Sequence, residues 1–195
     1  MGRIRRFLFA FLSCRLRAMK LDYRRITPSS TDVADVQTCF EKSFPPEERP
    51  PFEMTISWDN SKFMEVRLDR RFVGLVDVVE CRDLLYVFFL AVEESFQDQG
   101  IGSQILTDLK VRYRGKRLFL LAEEIDPKYP DIETRKRRFA FYARNGFKPS
   151  GVFILEFGVR YEMLIENAPV TKNEFVETMT YLIGEENAKK YYSNC

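Results

Sequence analysis

Leu84-Leu85-Tyr86-Val87-Phe88-Phe89-Leu90-Ala91-Val92, followed by Gln97-Asp98-Gln99-Gly100-Ile101-Gly102-Ser103, is the stretch on which the reading of this chain turns. The first run is apolar at every position, as a strand buried on both faces must be. The second places two glycines where that strand hands over to a helix whose stripe is Ile101, Ile105, Leu106 and Leu109. At a helix start the first backbone N–H groups have no internal partner and carry partial positive charge. Glycines let those groups approach an anion closely, and a pyrophosphate suits such a turn. A six-residue Gly-x-Gly-x-x-Gly fingerprint is absent, and so is the Lys-Ser or Lys-Thr of a P-loop. Taken alone, the turn equally fits a tight strand–helix connection with no ligand.

Outward from that stretch the hydrophobic period alternates between two and about three and a half. Leu21 to Ile26 reads as a strand, and Asp32 to Ser43 as an amphipathic helix with Ser30 or Thr31 as its N-cap. Pro45-Pro46 ends it, and a loop rich in proline and charge leads to a short helix over Phe52 to Trp58. Phe63 to Leu68 and Phe72 to Glu80 form a hairpin that continues into Leu84 to Val92. Lys116 to Glu124 is a further strand and Thr134 to Arg144 a helix stopped by Asn145-Gly146. Val152 to Phe157 and Val159 to Ile165 make a last hairpin, and Thr171 to Tyr192 a polar helix interrupted at Gly184. The order β-α-α-β-β-β-α-β-α-β-β-α predicts an α/β fold. Its central sheet is mixed and mostly antiparallel, with helices on both faces. Three antiparallel strands before the first crossover exclude a doubly wound nucleotide fold.

Composition narrows the chemistry. The 195 residues are 45% hydrophobic and 31% charged, with 18 Phe and 9 Tyr, as expected of one packed domain. There is no histidine, which removes Ser-His-Asp and Cys-His catalysis, histidine metal sites and the usual base near neutrality. Four widely spaced cysteines, Cys14, Cys39, Cys81 and Cys195, argue against a disulfide framework and a zinc site, so no metal is expected. The net charge of +2 is uninformative, and Arg135-Lys136-Arg137-Arg138 spreads around its helix, so at most two of its side chains could serve one ligand. We read that run as a solvated face and expect no nucleic-acid partner. Residues 1–18 hold a basic and apolar stretch too short to span a membrane. We read them as an extension, disordered or not native, ahead of a single domain over 19–195 that includes the extra helix 171–192.

The buried strand and glycine turn resemble the acyl-CoA motif of the GNAT superfamily of N-acetyltransferases: Gln or Arg, two residues, Gly, one residue, then Gly or Ala. Phe141-Tyr142-Ala143-Arg144-Asn145-Gly146-Phe147 is similar to the family's second signature. The resemblance covers about residues 21–165 and matches the strand order. It implies that the strand ending at Leu90, Ala91 and Val92 splays from its neighbour and pairs through its backbone with the pantetheine arm of acetyl-CoA. Gln97, Asp98, Gln99, Gly100, Ile101, Gly102 and Ser103 would hold the pyrophosphate, and Asn145 would touch the cofactor. Tyr142 would be the general acid that protonates the departing thiolate, although a core aromatic at that position is the plain alternative.

With no histidine, a carboxylate or a water must take the amine's proton. Strand alternation sends one of Glu123 and Glu124 into the cleft and the other away. The resemblance favours Glu124, with Glu47 and Glu48 as further candidates and solvated surface carboxylates as the alternative for all four. The expected function is direct transfer of acetyl from acetyl-CoA to a primary amine, on a small molecule or a peptide, in the cytoplasm. A homodimer is compatible with it. The rival reading is a sensor of the same fold that binds acyl-CoA without turnover.

Overall fold

The computed structural model describes residues 20–156 and 158–192. The expectation for residues 1–18 lies outside them. The chain runs β1 (Leu21–Arg25), α1 (Ala34–Ser43), α2 (Phe52–Ser57), β2 (Ser61–Leu68), β3 (Arg71–Cys81), β4 (Leu84–Val92), α3 (Ile101–Arg112) and β5 (Arg117–Glu123). It continues through α4 (Ile132–Arg144), β6 (Lys148–Glu156), β7 (Val159–Ile165), α5 (Lys172–Ile183) and α6 (Glu185–Tyr192). The strands form one seven-stranded sheet in the order β1-β2-β3-β4-β5-β7-β6, parallel only between β4 and β5. The expected mixed, mostly antiparallel sheet is therefore present.

Helices cover both faces. The stripe Ile101, Ile105, Leu106 and Leu109 of α3 packs with Val76, Val78, Leu85 and Val87 on one face. On the other, α1 and α2 set Phe40 and Phe52 against Phe63, Leu75 and Phe89, while α5 sets Phe175 and Met179 against Tyr86 and Phe119. Phe40 is the hub of the α1–α2 side, with ring centroids 5.0–5.8 Å from Phe44, Phe52, Phe63 and Phe89. Aromatic pairs at such separations add to the area they bury. They seat the proline-rich loop between α1 and α2 on the sheet.

Two irregularities shape the middle of the sheet. The β3–β4 register jumps from Asp77↔Phe89 to Val78↔Val87, leaving Phe88 as a bulge in β4. A bulge breaks the alternation of side chains. Consequently Phe88 and Phe89 share one face, their rings 4.2 Å apart. The second irregularity is Gly74 of β3. A Cβ there would lie closer than 3.0 Å to the carbonyl oxygen of Ala91 and 3.2 Å from Val92 Cα.

Two local readings are corrected. Helix α1 starts at Ala34 and has no side-chain cap. Ser30 Oγ instead accepts from the Thr27 amide at 3.0 Å, and Asp32 has a φ of 62°, which blocks an earlier start. Strand β6 begins at Lys148 rather than Val152. The interruption expected at Gly184 is present, where a φ of 83° turns the chain between α5 and α6.

Candidate active site

The site begins where β4 and β5 stop pairing. Their ladder runs from Leu84↔Arg117 to Val87↔Leu120 and goes no further. Beyond it β5 continues pairing with β7 up to Glu123↔Tyr161, while β4 stays with β3. The strands part, and β4 from Phe88 to Val92 presents an open backbone edge to the gap. A cavity of about 310 Å³ fills this opening, and a groove of about 790 Å³ runs from it over the glycine turn.

The groove passes over the start of α3. Gly100 caps α3 in the left-handed region at φ 82°, and Asp98 has a φ of 57°, so the turn coils tightly under the helix start. Gly102 has a different reason to be small: a Cβ there would lie 3.0 Å from Phe141 Cζ and 3.5 Å from Val92 Cγ2. Leu90, Val92, Gln97, Asp98, Gly100, Ile101, Gly102 and Ser103 all line the groove. Gln99 does not, since its side chain donates to the Ser95 carbonyl at 2.9 Å. Ala91 faces the cavity instead. Asn145 is elsewhere too. It caps α4, its side-chain amide donating to the Phe141 carbonyl at 2.8 Å and its own carbonyl accepting from Lys110 Nζ at 2.6 Å.

The opposite wall of the groove was missed in sequence. Thr134, Arg137, Arg138, Phe141 and Arg144 of α4 all line it. Their three- and four-residue spacing puts them on one helix face. That periodicity, set against the glycine turn, was the available signal. The reading of Arg135 to Arg138 as a solvated face is corrected at Arg135 and Arg138, while Lys136 and Arg137 are exposed. Arg137 and Arg138 reach the groove, and Arg135 is buried, donating to Asp131 and to the Glu124 carbonyl. The turn's partial positive charge thus faces two further cations, Arg137 and Arg144, across a space suited to phosphates.

Tyr142 stands at the seam between groove and cavity and lines both. It is 9% exposed and packs edge-on to Phe147, with centroids 6.1 Å apart, so it is also a core aromatic. Burial pushes its hydroxyl up to about 12, with Arg138 pulling the other way and Glu123 adding to the rise. It is therefore protonated throughout the neutral range.

The cavity holds the carboxylates. Glu123 faces into it, ion-paired with Arg138, alongside its cross-strand partner Tyr161. Glu124 points the other way, as alternation requires, and pairs with Arg160 and, at 4.0 Å, Lys128. Of these two neighbours, Glu123 lines the cavity and Glu124, which the resemblance favours, does not. Glu48 also reaches the cavity, its Oε2 accepting from the Tyr161 hydroxyl at 2.8 Å, whereas Glu47 is exposed and outside it. Glu156, which sequence reading did not single out, lines the cavity from the end of β6 and accepts from the Tyr192 hydroxyl. Among the described residues no cluster of side chains could hold a metal ion, and no helix is long and apolar enough to cross a membrane.

Residues 59–149 match the family model of the acetyltransferase (GNAT) domain. No curated protein matches the chain. Among solved structures, an acetyltransferase of the GNAT family from Bacteroides thetaiotaomicron shares 22% identity, with a TM-score of 0.66 over 82% of this chain and 94% of that one. A GNAT family acetyltransferase from Elizabethkingia anophelis with acetyl-CoA bound is 14% identical, with a TM-score of 0.53 over 76% of this chain and 98% of that one. An aminoglycoside 6′-N-acetyltransferase complexed with coenzyme A is 12% identical, with a TM-score of 0.58 over 77% of this chain and 99% of that one. The segment 59–149, just under half of the chain, contains the meander, the glycine turn and the second signature, so it is this part that is similar to the GNAT acetyltransferase domain, within a seven-stranded sheet of the same fold as those structures.

Proposed function

We propose that this protein transfers the acetyl group of acetyl-CoA directly to a primary amine. The carrying observation is the position of Tyr142, at the seam between a groove suited to phosphates and a cavity lined by carboxylates. The pyrophosphate lies on the amides of residues 97–103, faced by Arg137 and Arg144, and the pantetheine runs along the open edge of β4. Complexes of the same fold with acetyl-CoA or coenzyme A support this placement. The free thiols of Cys39 and Cys81 support a cytoplasmic location.

In the reaction the amine's lone pair attacks the thioester carbonyl, forming a C–N bond and a tetrahedral intermediate. Collapse breaks the C–S bond, and the thiolate takes the Tyr142 proton. The amine's proton leaves to Glu123, through a water where the two do not touch. Glu124, turned onto Arg160, is left to fix β5 against β7. Among the described residues the cysteines, Cys39 and Cys81, are buried and line neither the groove nor the cavity, which favours direct transfer over an acyl-enzyme.

Incubation with acetyl-CoA labelled in its acetyl group and a primary amine, followed by mass spectrometry, tests this reading. Label is expected on the amine nitrogen, with the protein itself unmodified. Label held covalently on the protein during turnover would rule out direct transfer.

A further inference from the structure

Beside the acceptor cavity lies a second one of about 290 Å³, walled by α2, the bulged Phe88 and the α5–α6 pair. The two cavities share Glu48, Phe88 and Glu156, which form the threshold between them. Past the threshold the lining turns apolar, with Met54, Trp58, Met179 and Ile183. The Trp58 ring stacks on Phe88 at 6.0 Å and makes a flat wall. Arg49 also lines this space, but its Nε donates to the Phe44 carbonyl at 2.9 Å and its guanidinium lies over the Phe40 ring, 5.2 Å from the centroid. The threshold is therefore anionic and the interior apolar.

We propose that this second cavity is the tail compartment of the acceptor site. The acceptor is then a small primary amine with an aromatic or branched aliphatic tail, its ammonium held at the threshold by Glu156 and Glu48. The proposal rests on the acetyl-transfer reading and narrows its acceptor. An ammonium with an apolar body matches both the charge at the threshold and the surface behind it. The volume suits a single ring or short branched chain rather than a folded protein segment. Glu156 is a half-buried carboxylate with no ion pair among the described residues. Tyr192 of α6 donates to it, Tyr86 of β4 and Tyr161 of β7 lie near it, and Glu48 shares its cavities. Burial pushes it up to about 6, against the hydrogen bond from Tyr192. A bound ammonium would restore its charge, so amine affinity falls as pH drops below about 6. Helices α5 and α6 lie outside the segment matched to the family, so the far wall of this compartment is not part of what that match describes.

Trp58 is the one tryptophan in the chain, and its emission reports directly on this cavity. The test titrates the full-length protein with phenethylamine, with ethanolamine as the tail-less amine and 2-phenylethanol as the uncharged isostere. Phenethylamine is expected to give a saturable change in Trp58 emission, with a Kd at least about tenfold below either control. Glu156→Gln removes a charge-assisted contact and Met54→Lys places a charge at a rim position that is 51% exposed. Each should weaken phenethylamine about tenfold, and circular dichroism would verify their folding. Absence of a Trp58 response, equal affinity for ethanolamine, or unchanged affinity in both variants would overturn the proposal even if acetyl transfer proceeds. A full response without thiol release under acetyl-CoA would retain the compartment and overturn the acetyl-transfer reading instead.

Discussion

Replacing Gly74 by alanine adds one methyl group at the base of the cleft. That carbon would meet the Ala91 carbonyl oxygen closer than 3.0 Å and Val92 Cα at 3.2 Å. Both obstacles are backbone in the middle of a seven-stranded sheet, so no side chain can swing aside to relieve the contact. Overpacking of this kind costs about 1–3 kcal/mol, and rigid surroundings on both sides place Gly74→Ala at the upper end. Against this, alanine in a strand recovers about 0.5–1 kcal/mol of the conformational freedom that glycine loses. The net loss is about 2 kcal/mol, which for a domain of this size lowers Tm by about 4–8 °C. The displacement falls on Ala91 and Val92, the end of β4 that borders the open gap. The KM for acetyl-CoA should therefore rise while the acceptor's KM changes less. Calorimetric melting with steady-state kinetics on the same preparation measures both. A Gly74→Ala protein that melts within about 1 °C of the parent, with an unchanged KM for acetyl-CoA, would refute the close-approach argument.

Tyr142→Phe keeps the ring that packs on Phe147 and removes only the proton donor. It should lower kcat about 100-fold while leaving thermal stability nearly unchanged, and an undiminished kcat would remove Tyr142 as the acid. Asp77 is fully buried in β3, and burial pushes its carboxyl up to about 8. The folded state then holds a proton that the unfolded chain releases above its ordinary value, so stability falls as pH rises from about 4 to about 8. Asp77→Asn should flatten that slope in denaturant titrations, and a slope unchanged by the substitution would show that another group causes it. Glu174 is pulled down to about 2, first by Arg117 at 2.6 Å and then by Thr171, with which it closes a capping box. Its contribution is complete above about 4.3 and is lost as pH falls toward 2. The Tm difference between the parent and Glu174→Gln should accordingly shrink over that window, and a constant difference would contradict the linkage.

The sheet and its helices were legible because each rested on a strong period or an unambiguous stop. Leu84 to Val92 reads as a central strand because burial on both faces leaves no polar position, and the glycines at 100 and 102 mark where it turns into a helix. What the sequence hid was mainly direction. Neighbouring Glu123 and Glu124 differ only in which way the strand turns them, and that phase depends on β5 pairing with β7. The bulge that puts Phe88 and Phe89 on one face has no local signature, since it arises from register with β3. Asn145 belongs to a helix end that the sequence marked correctly, yet its side chain is used in closing that end rather than in the groove. Glu156 was invisible for another reason. It becomes a site residue only when α6, distant in sequence, folds back to place Tyr192 beside it.

The central claim is that the splayed strands and the glycine turn serve acetyl transfer, and thiol release tests it most directly. The full-length protein is given acetyl-CoA and a panel of primary amines, with free coenzyme A followed by a thiol reagent and cofactor binding measured in parallel by calorimetry. The account predicts amine-dependent release of coenzyme A matched one for one by acetylated amine. Binding of acetyl-CoA without release in the presence of any amine would contradict it and identify the protein as a sensor built on the same fold.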